Sequence, residues 1–97
     1  METYVIVRRN GWRSAEAFRV AAERSSAVGE QMSDDVSWLR SYVLEECDGT
    51  VGTVCVYQAS SPEAIRTHAA AAELPVDEIV RVAGTEVERL DPLPAAT

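Results

Sequence analysis

The sequence has a single histidine and only two cysteines, so it holds few of the side chains that bind transition metals tightly. It contains no Cys-x-x-Cys pair, no glycine-rich phosphate loop and no Ser-His-Asp arrangement, which are common catalytic and cofactor signatures. It also lacks an apolar run long enough to span a bilayer. These absences leave open whether the protein is an enzyme. The sequence gives no sign of an organic cofactor.

Basic residues are scarce as well. Nine Lys and Arg stand against sixteen Asp and Glu, for a net charge of -7. No basic patch offsets the repulsion from phosphate groups, so nucleic acid and anionic membranes are disfavoured as partners, whereas metal cations suit the charge. With 97 residues, of which 46% are hydrophobic and 26% charged, the composition is that of one globular domain. We expect this domain over residues 1–92 and a tail over 93–97.

The beginning of the sequence predicts a strand and no secretory signal, because residues 4–7 form a short aliphatic run that two arginines follow. We therefore expect a cytoplasmic protein. In that compartment cysteines stay reduced, so Cys47 and Cys55 are interpreted as thiols.

The pattern of apolar residues and caps predicts the order β-α-β-β-α-β. Ser14 is a good N-cap for a helix over 15–31, and the run Ser60-Ser61-Pro62-Glu63 begins a second helix that ends near Leu74, before Pro75. Strands are predicted over 3–9, 36–46, 50–58 and 80–90. This order is typical of a ferredoxin-like α+β sandwich, a four-stranded antiparallel sheet with two helices on one face.

The central hairpin allows the two faces of the sheet to be predicted. If Asp48-Gly49 forms a two-residue turn, Tyr42 pairs with Cys55 and Arg40 with Tyr57. Alternation along the strands then separates an aliphatic face, expected beneath the helices, from an open face that carries the unusual side chains. The open face would contain Trp38, Arg40, Tyr42, Cys55 and Tyr57.

An open face with this much apolar area is unfavourable in water, at about 25 cal/mol per Å² left wet. We therefore expect a homodimer that buries it, an assembly of the dimeric α+β barrel type. Alternatively, the same face lines a pocket for a small hydrophobic molecule, with Arg40 and the tyrosine hydroxyls as orienting groups.

His68 and Cys55 are the candidate metal ligands, because imidazole and thiolate both bind nickel-like ions. His68 lies at the border of the buried stripe of the second helix. The alternative for His68 is a half-buried histidine that hydrogen-bonds the backbone or a carboxylate, and for Cys55 a small buried apolar residue. On this pattern His68 and Cys55 lie on opposite sides of the sheet, so they meet only at a sheet edge or across a dimer interface.

The ordered combination of several short motifs resembles the small nickel-binding-protein-like domains, which are mostly bacterial. The resemblance is close over about 36–92 and looser before it, and two segments depart from the family pattern: the hairpin from Glu45 to Thr53 and the run Glu73-Leu74-Pro75. The motifs are Trp38-x-x-Ser41-Tyr42, Cys55-Val56-Tyr57-x-Ala59, Glu63-x-Ile65-x-x-His68-Ala69, Pro75-x-x-x-Ile79 and Asp91-Pro92.

The resemblance implies a ferredoxin-like fold, a dimer and nickel binding. It favours a small non-enzymatic protein that binds nickel or another divalent transition metal, with His68 as the nitrogen ligand. The competing function is an enzyme or small-molecule binder of the dimeric α+β barrel kind that uses the open face of the sheet.

Overall fold

The computed structural model describes residues 1–92, so the predicted tail over 93–97 lies outside the described residues. The chain forms four strands and two helices in the predicted order, and the sheet order is β2-β3-β1-β4 with antiparallel pairs throughout. The ferredoxin-like α+β fold is therefore confirmed. The elements are β1 (Glu2–Trp12), α1 (Ala15–Gln31), β2 (Val36–Glu45), β3 (Val51–Ala59), α2 (Pro62–Ala71) and β4 (Glu78–Arg81).

Both helices begin where the sequence places a serine cap. The hydroxyl of Ser14 accepts a hydrogen bond from the Ala17 amide and that of Ser61 accepts one from the Ala64 amide, each at 3.1 Å. The predicted bounds of α1 are confirmed. The end predicted for α2, near Leu74, is too late because Glu73 adopts a left-handed backbone with φ of 57°. Within residues 1–92 no helix is long and apolar enough to cross a membrane.

The last strand is much shorter than the predicted range 80–90. It pairs with β1 so that Tyr4 lies opposite Arg81, and β1 begins at Glu2. Residues that follow Arg81 therefore have almost no β1 backbone beside them with which to pair. The last hydrogen bond between the two strands joins the Val82 amide to the Thr3 carbonyl at 2.8 Å. Residues 82–91 instead run along the sheet face that the helices do not cover.

The predicted hairpin register is wrong by one residue. Glu45 pairs with Val51, and a wider turn in which the Gly49 amide donates to the Glu46 carbonyl replaces the two-residue turn. Tyr42 therefore lies opposite Val54, and Cys55 pairs with Ser41. A shift of one residue moves a strand's side chains to the other face, so Tyr42 and Cys55 do not share a face.

A bulge at Leu39 then changes the register again, because Arg40 pairs with Val56 whereas Trp38 pairs with Tyr57. The predicted pairing of Arg40 with Tyr57 is therefore wrong too. Cys55 and Tyr57 point toward the helices, and the aliphatic Val56 lies on the open face with Arg40.

The face beneath the helices thus differs from the aliphatic one that the hairpin pattern predicted. Its core combines aliphatic side chains with two tyrosines and a cysteine, and the helices contribute Ile65 and small residues such as Ala69. The buried cluster contains Tyr4, Ile6, Val36, Cys55, Tyr57, Ala59 and Ile65.

Gly52 lies close against β1 in the hairpin, and it yields a test of this packing. A methyl group at Gly52 would lie 2.6 Å from the Arg8 carbonyl oxygen and 2.7 Å from Glu46 Oε2. Gly52→Ala should therefore lower the free energy of unfolding by about 1–3 kcal/mol in urea titrations. Gly84→Ala is the matched control, because a methyl there meets nothing within 4 Å. Equal losses in the two variants would contradict this packing.

Candidate functional site

The covered face of the sheet holds a group of polar side chains that the helices seal from solvent. We call this group the buried polar cluster, and β1, α1, β3 and α2 each contribute to it. Arg8, Tyr57 and His68 are each only 1% exposed. The cluster consists of Arg8, Ser25, Thr53, Cys55, Tyr57 and His68.

His68 is held by one ring nitrogen and leaves the other without a partner. Its Nε2 lies 3.1 Å from the carbonyl oxygen of Ser25 in α1. A carbonyl oxygen only accepts, so Nε2 carries the hydrogen and, in the neutral ring, Nδ1 carries a lone pair. Nδ1 is buried and has no hydrogen-bond partner among residues 1–92. The imidazole is therefore locked in one tautomer with a bare acceptor nitrogen.

Burial lowers the pKa of His68 below its ordinary value, and the positive charge of Arg8 acts in the same direction, while the hydrogen bond to Ser25 opposes both. The ring is consequently neutral at neutral pH.

Tyr57 connects the parts of the cluster. Its ring meets that of His68 edge-on at a centroid distance of 5.6 Å and lies parallel to that of Trp38 at 6.3 Å. Its hydroxyl is 3.4 Å from Ser25 Oγ. Burial raises the pKa of Tyr57, against the opposing effects of the Ser25 hydrogen bond and the charge of Arg8. The phenol therefore stays protonated and remains a hydrogen-bond donor.

Cys55 takes part in a chain of hydrogen bonds that begins at the surface. Trp38 Nε1 donates to Ser41 Oγ at 2.8 Å, Ser41 donates to Cys55 Sγ at 3.0 Å, and the thiol in turn lies 3.4 Å from Thr53 Oγ1. Cys55 and the exposed Cys47 are both free thiols. The thiol of Cys55 is therefore fixed in place but engaged by hydroxyl groups.

The structure separates the residues that the sequence analysis placed on one face. Trp38, Cys55 and Tyr57 lie on the covered side with His68, whereas Arg40 and Tyr42 lie on the open face. The predicted separation of His68 from Cys55 by the sheet is therefore wrong, although their role as metal ligands stays a prediction. Residues 1–92 contain no group of three or more His, Cys, Asp or Glu side chains arranged to hold a metal ion.

The open face forms a second candidate site, a groove of about 650 Å³ between the sheet and residues 82–91. Arg40 and Tyr42 both contact the carboxylate of Asp91, which ties this segment to β2. The hydrogen bond from Tyr42 and the charge of Arg40 lower the pKa of Asp91. The floor of the groove is mainly aliphatic and includes Val5, Leu39 and Val56.

Two residues with specific contacts, one in the buried polar cluster and one in the hairpin turn, were missed by the sequence analysis. Arg8 follows Tyr4 and Ile6 at every second position, so strand alternation places it on the buried face, and this signal was available. Glu46 lies in the hairpin turn, and its carboxylate binds the Arg9 guanidinium at 2.8 Å and the Asn10 amide at 2.7 Å. These contacts lower the pKa of Glu46, and the hydrogen bond from Arg9 has the largest effect.

A family model described as nickel responsive protein SCO4226-like matches residues 4–82. The chain belongs to this family. The family resemblance that the sequence motifs indicated is thereby confirmed. No curated protein matches the chain significantly.

Among solved structures, the crystal structure of SCO4226 from Streptomyces coelicolor A3(2) is similar, with a TM-score of 0.69 and 18% sequence identity. The match covers 87% of this chain and 99% of that chain. At this identity the likeness supports the fold of this member of the SCO4226-like family and nothing finer.

The lowered pKa of His68 predicts how stability depends on pH. As the pH falls below about 6.5, the unfolded chain takes up a proton on His68 before the folded one does. The contribution of His68 to the free energy of unfolding is therefore fully present above this pH and is lost below it, by at most about 1.4 kcal/mol per pH unit. Urea titrations at pH 7.5 and 5.5 should show a larger loss for the wild type than for His68→Gln, which has no proton to take up. Equal losses in both proteins would show that His68 titrates normally in the fold.

Proposed function

We propose that the protein is a small, non-enzymatic homodimer of this nickel-responsive family that binds a divalent transition metal such as nickel, with His68 as the nitrogen ligand. The observation that carries the proposal is the bare Nδ1 of His68. Histidines that bind metals commonly donate a hydrogen bond from the N–H of the other ring nitrogen to a carbonyl or carboxylate, which fixes the tautomer and the orientation of the ring. The hydrogen bond between Nε2 and the Ser25 carbonyl has this form.

Three further features support this function. The neutral imidazole is the form that binds a metal, and burial keeps His68 in that form. Cys55 lies on the same side of the sheet and offers the second proposed ligand. The sequence has a net charge of -7, which attracts cations to the protein.

Two features limit the affinity that we expect. Nδ1 is buried, so a metal reaches it only when the packing around it opens locally. The charge of Arg8, which already disfavours the protonated ring of His68, disfavours a nearby cation for the same reason. We therefore expect moderate affinity, with water or carboxylates completing the metal's coordination. A cytoplasmic location remains a prediction from the sequence.

Calorimetric titration of untagged protein with nickel tests the metal site. The wild type should bind at pH 7.5 and should keep its affinity at about pH 6.5, where a free histidine is half protonated, because burial keeps the imidazole of His68 in the neutral form that binds a metal. His68→Ala should abolish binding without breaking α2, since alanine is the best helix former. Ser25→Ala is the matched control: it removes a cluster hydroxyl but keeps the carbonyl that orients His68, so it should still bind nickel. Unaltered nickel binding by His68→Ala would end the proposal.

The homodimer, in this proposal, forms through the open face of the sheet. Leu39 is 51% exposed and Tyr42 is 44% exposed on this face, although both belong to a strand of the sheet. A second copy covering them would remove apolar area from water, the main favourable contribution to association. Because the corrected register places Trp38 on the covered side, Leu39 is a better interface probe than Trp38.

Leu39→Asp should therefore weaken self-association in sedimentation experiments by roughly 2 kcal/mol or more, because it places a charge in an apolar contact. Val20→Asp is the control, since Val20 is an aliphatic side chain that is 61% exposed on the surface of α1. It should leave the association unchanged. A wild type that sediments as a monomer at micromolar concentration would contradict the dimer.

A small-molecule binder is the second candidate function, and the groove on the open face favours it. Its volume of about 650 Å³ falls within the usual range of ligand sites, roughly 300–1,000 Å³. An aliphatic floor beside Arg40, Tyr42 and Asp91 suits a small hydrophobic molecule with one polar group. A monomeric wild type in the sedimentation experiment would leave this groove free and would favour this function.

A further inference from the structure

Arg8 is the most unusual member of the buried polar cluster, because it is a charged side chain in the core of a small sheet. It is 1% exposed and is the largest fully buried side chain of the described residues. Its Nε donates to the carbonyl oxygen of Pro75 at 2.8 Å. A guanidinium group carries a positive charge under physiological conditions.

The charge of Arg8 has no counterpart in the part of the chain that the structure describes. No carboxylate of residues 1–92 forms a salt bridge with it, although Arg9, Arg24, Arg40 and Arg81 each have one. Its Nη2 is buried and has no hydrogen-bond partner among these residues. An unpaired buried charge is strongly unfavourable, so this site calls for an anion.

A small cavity lies next to this guanidinium. It leaves about 10 Å³ in which the centre of a water-sized atom can lie, which is room for one water or one small ion. Hydrogen-bond donors reach it from Arg8 and from the Ser25–Tyr57 hydroxyl pair, in which one hydroxyl donates to the other and leaves one hydrogen free. Aromatic, aliphatic and small side chains form the rest of its wall, namely Trp12, Phe18, Trp38, Ser41, Cys55 and Leu74.

We propose that this cavity is a binding site for a small monovalent anion of about the size of chloride. Nη2 of Arg8 holds the ion, and one hydroxyl of the Ser25–Tyr57 pair is the second donor. The choice of an anion over a water molecule rests on charge, because a water molecule satisfies Nη2 but leaves the guanidinium uncompensated. The small volume excludes polyatomic anions such as phosphate and the larger carboxylates.

Tryptophan fluorescence can detect the ion, since Trp12 and Trp38 both line the cavity. Chloride is titrated against gluconate at constant ionic strength, because gluconate is a monoanion too large for the cavity. The wild type should show a change that saturates with chloride, and Arg8→Gln should raise its midpoint at least about tenfold, the usual effect of losing a hydrogen bond to a charged group. Arg9→Gln removes the same charge from the same strand at an exposed side chain, and its midpoint should match that of the wild type.

An equal midpoint in Arg8→Gln, or a wild-type response that never saturates, would overturn the proposal in favour of a cavity that holds water. If Arg8→Gln does not fold, melting temperatures of the wild type decide instead. Without a specific site, salts change protein stability through their general effect on the surface. Fluoride then stabilises more than chloride and bromide, since strongly hydrated ions are excluded from protein surfaces. A built site of chloride size predicts the reverse, with chloride and bromide above fluoride, and the ordinary ranking would refute it.

Discussion

The position of Tyr57 in the centre of the sheet is the constraint on which the buried polar cluster depends. It pairs with Tyr4 in β1 and with Trp38 in β2, and these pairs turn its side chain toward the helices. There it contacts His68, stacks on Trp38 and meets Ser25 of α1. Its burial between two helices and three strands brings a guanidinium, an imidazole and a thiol into one small volume. The bulge at Leu39 leaves Arg40 and Tyr42 on the opposite face, where both contact the carboxylate of Asp91.

Some polar side chains in this core have hydrogen-bond partners for their buried atoms and others do not. The thiol of Cys55 lies between hydroxyl groups, and Nε2 of His68 faces a carbonyl oxygen. Nη2 of Arg8 and Nδ1 of His68 are the buried side-chain atoms of residues 1–92 that have no partner. One is a charged donor and the other an uncharged acceptor, so they suit opposite kinds of ligand, an anion for Arg8 and a metal cation for His68.

Much of the fold could be predicted from the sequence because its signals are local. Ser14 and Ser61 cap the helices as their positions suggest, and the element order alone indicates a ferredoxin-like sheet. The faces of the hairpin could not be predicted in the same way. The Asp48-Gly49 dipeptide favours a two-residue turn, but the side chains of Asp48 and Thr50 hydrogen-bond within a wider one, with Glu46 bound to Arg9 on the neighbouring strand. The contact of Glu46 with Arg9 is a tertiary contact that a turn propensity does not include.

The bulge at Leu39 adds a second non-local feature, because one unpaired residue returns Trp38 to the covered face while Arg40 stays on the open one. The length of β4 depends on how far β1 extends beside it, and this is also set by register. In contrast, the burial of Arg8 follows from simple alternation with Tyr4 and Ile6 and was predictable. Two members of the buried polar cluster, His68 and Cys55, were named from the sequence but were expected on opposite sides of the sheet, and the charge beside them was missed.

The state of His68 is the central claim, and nitrogen NMR of the imidazole tests it most directly because the chain has only one histidine. Long-range proton–nitrogen correlation spectra distinguish the two neutral tautomers and the protonated ring. The structure predicts the neutral tautomer with hydrogen on Nε2 at pH 7, and a ring that stays neutral as the pH falls through about 6.5, where a free histidine takes up its proton. A spectrum with hydrogen on Nδ1, or a ring that titrates near its ordinary value, would contradict the account.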